Sequence, residues 1–110
     1  MKKENNMGQW SKTCNTEIQL IGVVDRSSVP KLWQQAQQWS WEVSSLSIDL
    51  NGIKSSDSSA MALLLHLIQH AKKNHCHIML RSVPDKLLTL FEVSNALLLI
   101  SDHLDQNIEG

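Results

Sequence analysis

Between Leu46 and Ile68 the apolar residues change their spacing, and this restricts the fold more than any other feature of the chain. Leu46, Ile48 and Leu50 alternate with polar neighbours, the two-residue period of a pleated strand. Asn51-Gly52 signals a turn, and a polar connection then leads to Asp57-Ser58-Ser59. From there to Asn74 the apolar positions recur at helical intervals. Two hydroxyls and a carboxylate therefore stand at a helix start, where unpaired backbone N–H groups converge and the helix dipole is positive.

The rest of the chain repeats this alternation. A weak strand is expected over Gln9 to Cys14 and a stronger one over Glu17 to Val24. In the second, Ile18, Leu20, Gly22 and Val24 share one side, and Ile21 and Val23 give the other side partial cover. Ser28 can cap a helix with Pro30 in its first turn, running to about Trp39. His77–Arg81 reads as a further strand, and Val83-Pro84-Asp85 opens a third helix that ends near Ser94-Asn95. Leu97 to Ile100 suits either a last strand or part of a fourth helix. Strands alternating with helices after a first hairpin predict an α/β sandwich, with a mixed, mostly parallel β-sheet of four to five strands packed with three to four helices. The expected organisation is a flexible N-terminus over 1–8, one domain over 9–101 and a polar tail over 102–110.

Composition narrows the function classes. With 110 residues and 42% apolar side chains the chain can bury a real core. A net charge of −1 lacks the broad attraction to phosphate backbones, so no nucleic-acid partner is expected. Cys14 and Cys76 share no short motif and read as reduced thiols of a cytosolic protein. No apolar stretch comes after the basic first residues, and Ala60 to Ile68 falls far short of the ~20 residues that span a bilayer. No direct membrane insertion is expected.

Stepping 100° per residue along Ser58–Asn74 places Met61, Leu64, Leu65, Leu67, Ile68 and Ala71 on a core stripe. Ser59, Ala62, Leu63, His66, Gln69, His70 and Lys73 fall on the opposite side. Leu63 and Ala62 make that outer face less polar than a purely solvated helix requires. It serves either as a slightly apolar surface or as a docking surface contiguous with the hydroxyls at the helix start.

Each chemical motif has a structural alternative. Asp57-Ser58-Ser59 can simply cap the helix, or Ser58 or Ser59 can accept a phosphate or bond a partner. His66 and His70 stand at i and i+4, a spacing that suits zinc, but the glutamate of H-E-x-x-H is missing and no third ligand is indicated. His75-Cys76-His77 cannot converge within a strand, because neighbours point to opposite faces. Trp33, Trp39 and Trp41 either cover a core edge or mark a partner or lipid surface. With no nucleophile elbow, phosphate loop or placed acid/base pair, neither an enzyme nor a cofactor is expected.

The strand ending in Asp49-Leu50, the spacing to Asp57-Ser58-Ser59 and the leucine-rich helix behind it resemble a STAS domain, the fold of anti-sigma-factor antagonists. Ala62-Leu63-Leu64-Leu65-His66-Leu67-Ile68, then Ala71-Lys72-Lys73, then Val83-Pro84-Asp85-Lys86-Leu87 with Leu90 resemble one branch, the STAS subunits of ABC phospholipid transporters. The likeness runs from about Trp10 to Ser101 and is densest from Leu46 to Ser94. It implies a non-catalytic cytoplasmic subunit that binds the transporter's ATPase, with the permease in the larger complex, associates with the inner membrane through that complex and supports outer-membrane lipid asymmetry. In the family the hydroxyl after the Asp is the phosphorylatable one, here Ser58; in this branch a threonine at the ATPase contact is typical there, and glycine is usual at Ala60.

The expected docking surface is Asp57, Ser58, Ser59, Ala62, Leu63 and His66, with Lys86 of the third helix. The same face would also suit a homodimer. The alternative function is an anti-sigma-factor antagonist switched by phosphorylation of Ser58.

Overall fold

The computed structural model describes residues 7–104. The expected flexible N-terminus and the end of the expected tail lie largely outside these residues. The elements run β1 (Gln9–Cys14), β2 (Glu17–Val24), α1 (Val29–Gln37), β3 (Ser45–Asp49), β4 (Ile53–Ser56), α2 (Ser58–Lys73), β5 (His77–Arg81), α3 (Asp85–Val93) and α4 (Leu97–Ile100), with a single 3-10 turn at Ser101–His103 after the last helix.

The sheet has five strands in the order β1-β2-β3-β5, with β4 also paired to β2. β1 is antiparallel to β2, whereas β2–β3, β2–β4 and β3–β5 are parallel. This is the α/β sandwich the alternation predicts. β3 pairs with the start of β2 (Glu17–Gln19) and β4 with its end (Gly22–Val24). The register shifts between Gly22 and Val23, and Gly22 takes φ 90°, a conformation that a side chain would strain.

The core is built from one side of each strand. Ile18, Leu20 and Val24 of β2, Leu46 and Ile48 of β3 and Ile78 and Leu80 of β5 are buried with Leu63, Leu64 and Leu67 of α2 and Phe91 of α3. Side chains of opposite pleat, among them Gln19, Ile21, Ser47 and Met79, are half-buried. Strand alternation thus sets the depth of each residue directly.

Both long turns after helices close alike. Cys76 N–H donates to Ala71 O (2.8 Å) and His75 N–H to Lys72 O (3.2 Å), while Ala96 N–H donates to Phe91 O (2.8 Å) and Asn95 N–H to Glu92 O (3.1 Å). These are Schellman closures, with His75 (φ 58°) and Asn95 (φ 57°) at the left-handed position. The buried Cys76 and Ala96 that come next lock each turn onto the core.

The structure departs from the sequence reading at several points. The polar connection before Asp57 contains β4, whose Lys54 and Ser55 are exposed and leave no alternating apolar signal. α1 ends at Gln37, two residues before Trp39. Ser28 precedes α1 but does not cap it through its hydroxyl, which donates instead to Val23 O at 3.0 Å. Leu97–Ile100 is helical. His103, expected in a solvated tail, is buried, and its Nδ1 donates to Ile78 O at 2.8 Å. Its ring also stacks on His77 with centroids 4.7 Å apart.

Candidate functional site

α2 is the longest helix at 16 residues, and its first turn is fixed by Asp57, whose Oδ1 accepts the backbone N–H of Ser59 at 2.8 Å. Capping by an oxygen acceptor at this position satisfies one of the donors a helix start leaves unpaired. The capping role thus falls to Asp57, and the Ser58 side chain is exposed to solvent at the first helical position. Ser59 is half-buried and turns toward α1.

A groove of about 270 Å³ runs between α1 and α2. Its walls are Val29, Pro30 and Trp33 of α1 and Ser59, Ala62, Leu63 and His66 of α2. Pro30 fixes the first turn of α1, so Val29 and Trp33, four residues apart, present one face to α2. The lining is mostly apolar, with one hydroxyl, that of Ser59, and one imidazole, that of His66.

Of the expected surface, the structure gathers Ser59, Ala62, Leu63 and His66 around this groove, with Asp57 and Ser58 at its entrance turn and Lys86 outside its lining. Lys86 is exposed in the first turn of α3. Leu63 requires a correction. It is 1% exposed, a member of the core rather than of an outer face. Helix stepping measures direction from one stripe only, whereas α1 packs against the flank of α2 that carries Leu63. The same rotation leaves Met61 and Leu65, expected inside, only half-buried. A surface test by Leu63→Asp would therefore place a carboxylate in the core and unfold the domain.

Of the groove residues of α1, Trp33 was a candidate for a partner surface, whereas Val29 and Pro30 escaped the sequence reading as a site. The available signal was the i, i+4 pair Val29 and Trp33 beside Pro30.

The histidines of α2 belong to an aromatic cluster. The Trp33 ring lies 5.6 Å from His66 and 5.7 Å from His70, and the Trp41 ring lies 5.1 Å from His70, edge to face. Trp39 joins Trp41 at 5.5 Å, and Trp10 arrives from β1 to meet Trp39 at 4.7 Å. Trp10 and Trp41 each donate their indole N–H to a carbonyl of α1, Leu32 O at 3.0 Å and Ala36 O at 3.1 Å. The tryptophans thus pin α1 to the sheet and to α2, the core-edge alternative of the sequence reading. Among the described residues no group of three or more His, Cys, Asp or Glu side chains is arranged to hold a metal ion. No helix among them is long and apolar enough to cross a membrane.

The family model described as Mlab, STAS domain, matches residues 10–98, most of the chain and all of the groove. The chain belongs to the MlaB-type STAS domain family. It is 34% identical over 86 residues to the intermembrane phospholipid transport system binding protein MlaB of Escherichia coli (strain K12), covering 78% of this chain and 86% of that protein. The MlaB of Shigella flexneri matches to the same extent. Solved structures share the fold at low identity. The phosphorylated form of the Bacillus cell fate determinant SpoIIAA superposes with a TM-score of 0.65 at 14% identity, covering 93% of this chain and 92% of that one. A sulfate transporter family protein from Wolinella succinogenes gives 0.67 at 11% identity, covering 81% and 74%.

Proposed function

We propose that the chain is the STAS subunit of an Mla-type intermembrane phospholipid transport system. It acts without catalysis of its own, on the cytoplasmic side, by docking on the transporter's ATPase, and the permease completes the inner-membrane complex. In this role it supports the assembly and activity that maintain outer-membrane lipid asymmetry. The observation that carries the reading is the mostly apolar groove between α1 and α2, with the Ser59 hydroxyl and the His66 imidazole in its lining and the solvent-facing Ser58 next to it in the chain. Such a patch fits protein recognition, where a buried apolar centre is ringed by hydrogen-bonding groups. The 34% likeness over most of the chain to a phospholipid transport binding protein supports the choice of partner. Asp57, Ser58, Ser59, Ala62 and His66 form the contact, with Lys86 at its edge.

The test is co-purification of the tagged chain with the ABC ATPase of the phospholipid transport system in its native cell. Wild type should retain the ATPase, and Ala62→Arg, which fills the groove from an exposed position, should lose it while keeping its melting temperature. Undiminished capture by Ala62→Arg would remove the groove from the interface.

A second reading draws on the exposure of the Ser58 hydroxyl at the helix start: a phosphorylation-switched anti-sigma-factor antagonist. A phosphate there would add about −1.5 to −2 charges beside a docked partner. Mass spectrometry after incubation with candidate kinases tests it, and persistent absence of phosphate on Ser58 and Ser59 would exclude it.

A further inference from the structure

The two helices that flank the groove carry basic residues and no acidic ones, all the lysines lying outside the lining itself. α1 contains Lys31 and no carboxylate, and α2 contains Lys72, Lys73, His66 and His70 and no carboxylate. No Asp or Glu occurs anywhere from Ser58 to Pro84. The two carboxylates nearest the walls in sequence are already engaged by backbone N–H groups: Asp25 Oδ1 accepts from Ser27 at 2.9 Å, and Asp57 Oδ1 accepts from Ser59 at 2.8 Å. Beyond the groove, the face of α2 that holds Ala62 and His66 continues through His70 to Lys73 at helical spacing. His66 and Lys73 are exposed.

The size of the groove limits its occupant. An apolar cavity of about 150 Å³ takes one benzene ring, and drug-sized ligands need roughly 300–1,000 Å³. The 270 Å³ here, open on one side, suits a single large side chain of a partner rather than a free small molecule. An anchor seated between Trp33 and Ala62 also sets the chemistry of the partner residues next to it, because α2 offers only neutral and cationic groups along the adjoining face.

We infer that the partner presents an acidic amphipathic segment: one aromatic or branched apolar side chain enters the groove, and carboxylates spread over the next one to three helical turns of α2 meet His66, His70 and Lys73. The inference rests on the proposed function and specifies the chemistry of the ATPase segment that docks there.

The affinity of the purified chain for its ATPase is to be measured at about 50 mM and 300 mM salt for wild type, Lys73→Glu, Lys31→Glu and Ala62→Arg, each checked for a cooperative melt. Lys31 lies elsewhere on α1, lining a separate depression with Met7 and Gln9. Lys73→Glu should weaken binding about 3- to 10-fold at low salt, with the loss shrinking at high salt, while Lys31→Glu stays within about 2-fold. If Ala62→Arg abolishes binding and Lys73→Glu leaves it unchanged at both salts, the acidic segment is overturned and the docking site stands. If wild type fails to bind the ATPase at all, the proposed function falls and the inference with it. Capture of wild type by vesicles of anionic phospholipid, lost in Lys73→Glu, in place of ATPase binding would overturn the protein segment in favour of a membrane surface.

Discussion

Leu63 and Ala62 are adjacent in α2 yet report on different properties, so substituting each in turn separates folding from docking. Leu63 is 1% exposed between α1 and the core, whereas Ala62 faces solvent at the groove. Truncating a fully buried leucine costs about 2–5 kcal/mol, the lost transfer free energy plus that of the cavity left behind. Against a total stability of roughly 5–15 kcal/mol this is a large fraction, and a domain of this size loses about 4–8 °C in Tm per kcal/mol. Leu63→Ala should therefore melt roughly 8–40 °C below wild type. Ala62→Arg exchanges one good helix former for another at an exposed site, a change within about 0.5 kcal/mol, so its Tm should move by no more than a few degrees. Circular dichroism melts of the two variants beside wild type are the assay. A Leu63→Ala melt that overlays wild type, or an Ala62→Arg melt that collapses with it, would refute the packing of α1 against α2 on which the groove depends.

Local chemistry gives two further outcomes. Asp57→Ala removes the acceptor of the Ser59 N–H and should cost about 0.5–2 kcal/mol in a denaturant melt, with Asp57→Asn recovering most of it. The two thiols should react separately. Hydrogen bonding from the Thr16 backbone and hydroxyl lowers the pKa of the exposed Cys14, whereas burial raises that of Cys76. A thiol-exchange reagent at neutral pH should therefore modify one cysteine in the folded chain and the second only on unfolding. For Cys76 the folded pKa lies above the unfolded one, so its contribution to stability is complete below the ordinary thiol range. That contribution is lost as pH rises through the range toward the raised value, and Cys76→Ala should remove this alkaline dependence.

Elements governed by their own period were legible in the sequence. β2, β3 and β5 carry alternating apolar residues buried to one side, and α2 and α3 begin and end within a residue or two of their sequence signals. β4 was not legible, because a short strand with only Ile53 as a large apolar residue is held by its pairing to Gly22–Val24 rather than by burial. Tertiary packing also overrode the helical wheel at Leu63, since a helix flanked by α1 on one side and α3 on the other buries a wider arc than one stripe. The site was half visible for the same reason. Its α2 wall is implied by a strand-to-helix junction, but its α1 wall depends on an aromatic cluster that recruits Trp10 from β1. His103 was hidden because its partners, His77 and the Ile78 carbonyl, lie about 25 residues earlier in the chain.

The contacts of His103 bear on how the protein can be handled. β5 is the last strand in the sheet order, and its outer backbone is met by the segment after α4, through the Ile78 carbonyl and a bridge between Leu80 and Leu104. Unprotected strand borders recruit other chains into aggregates. Trimming back to Ser101 for crystallisation, or inserting a cleavage sequence before Leu104, would strip this selvedge and invite end-to-end polymerisation. Affinity handles placed beyond Leu104 leave it intact.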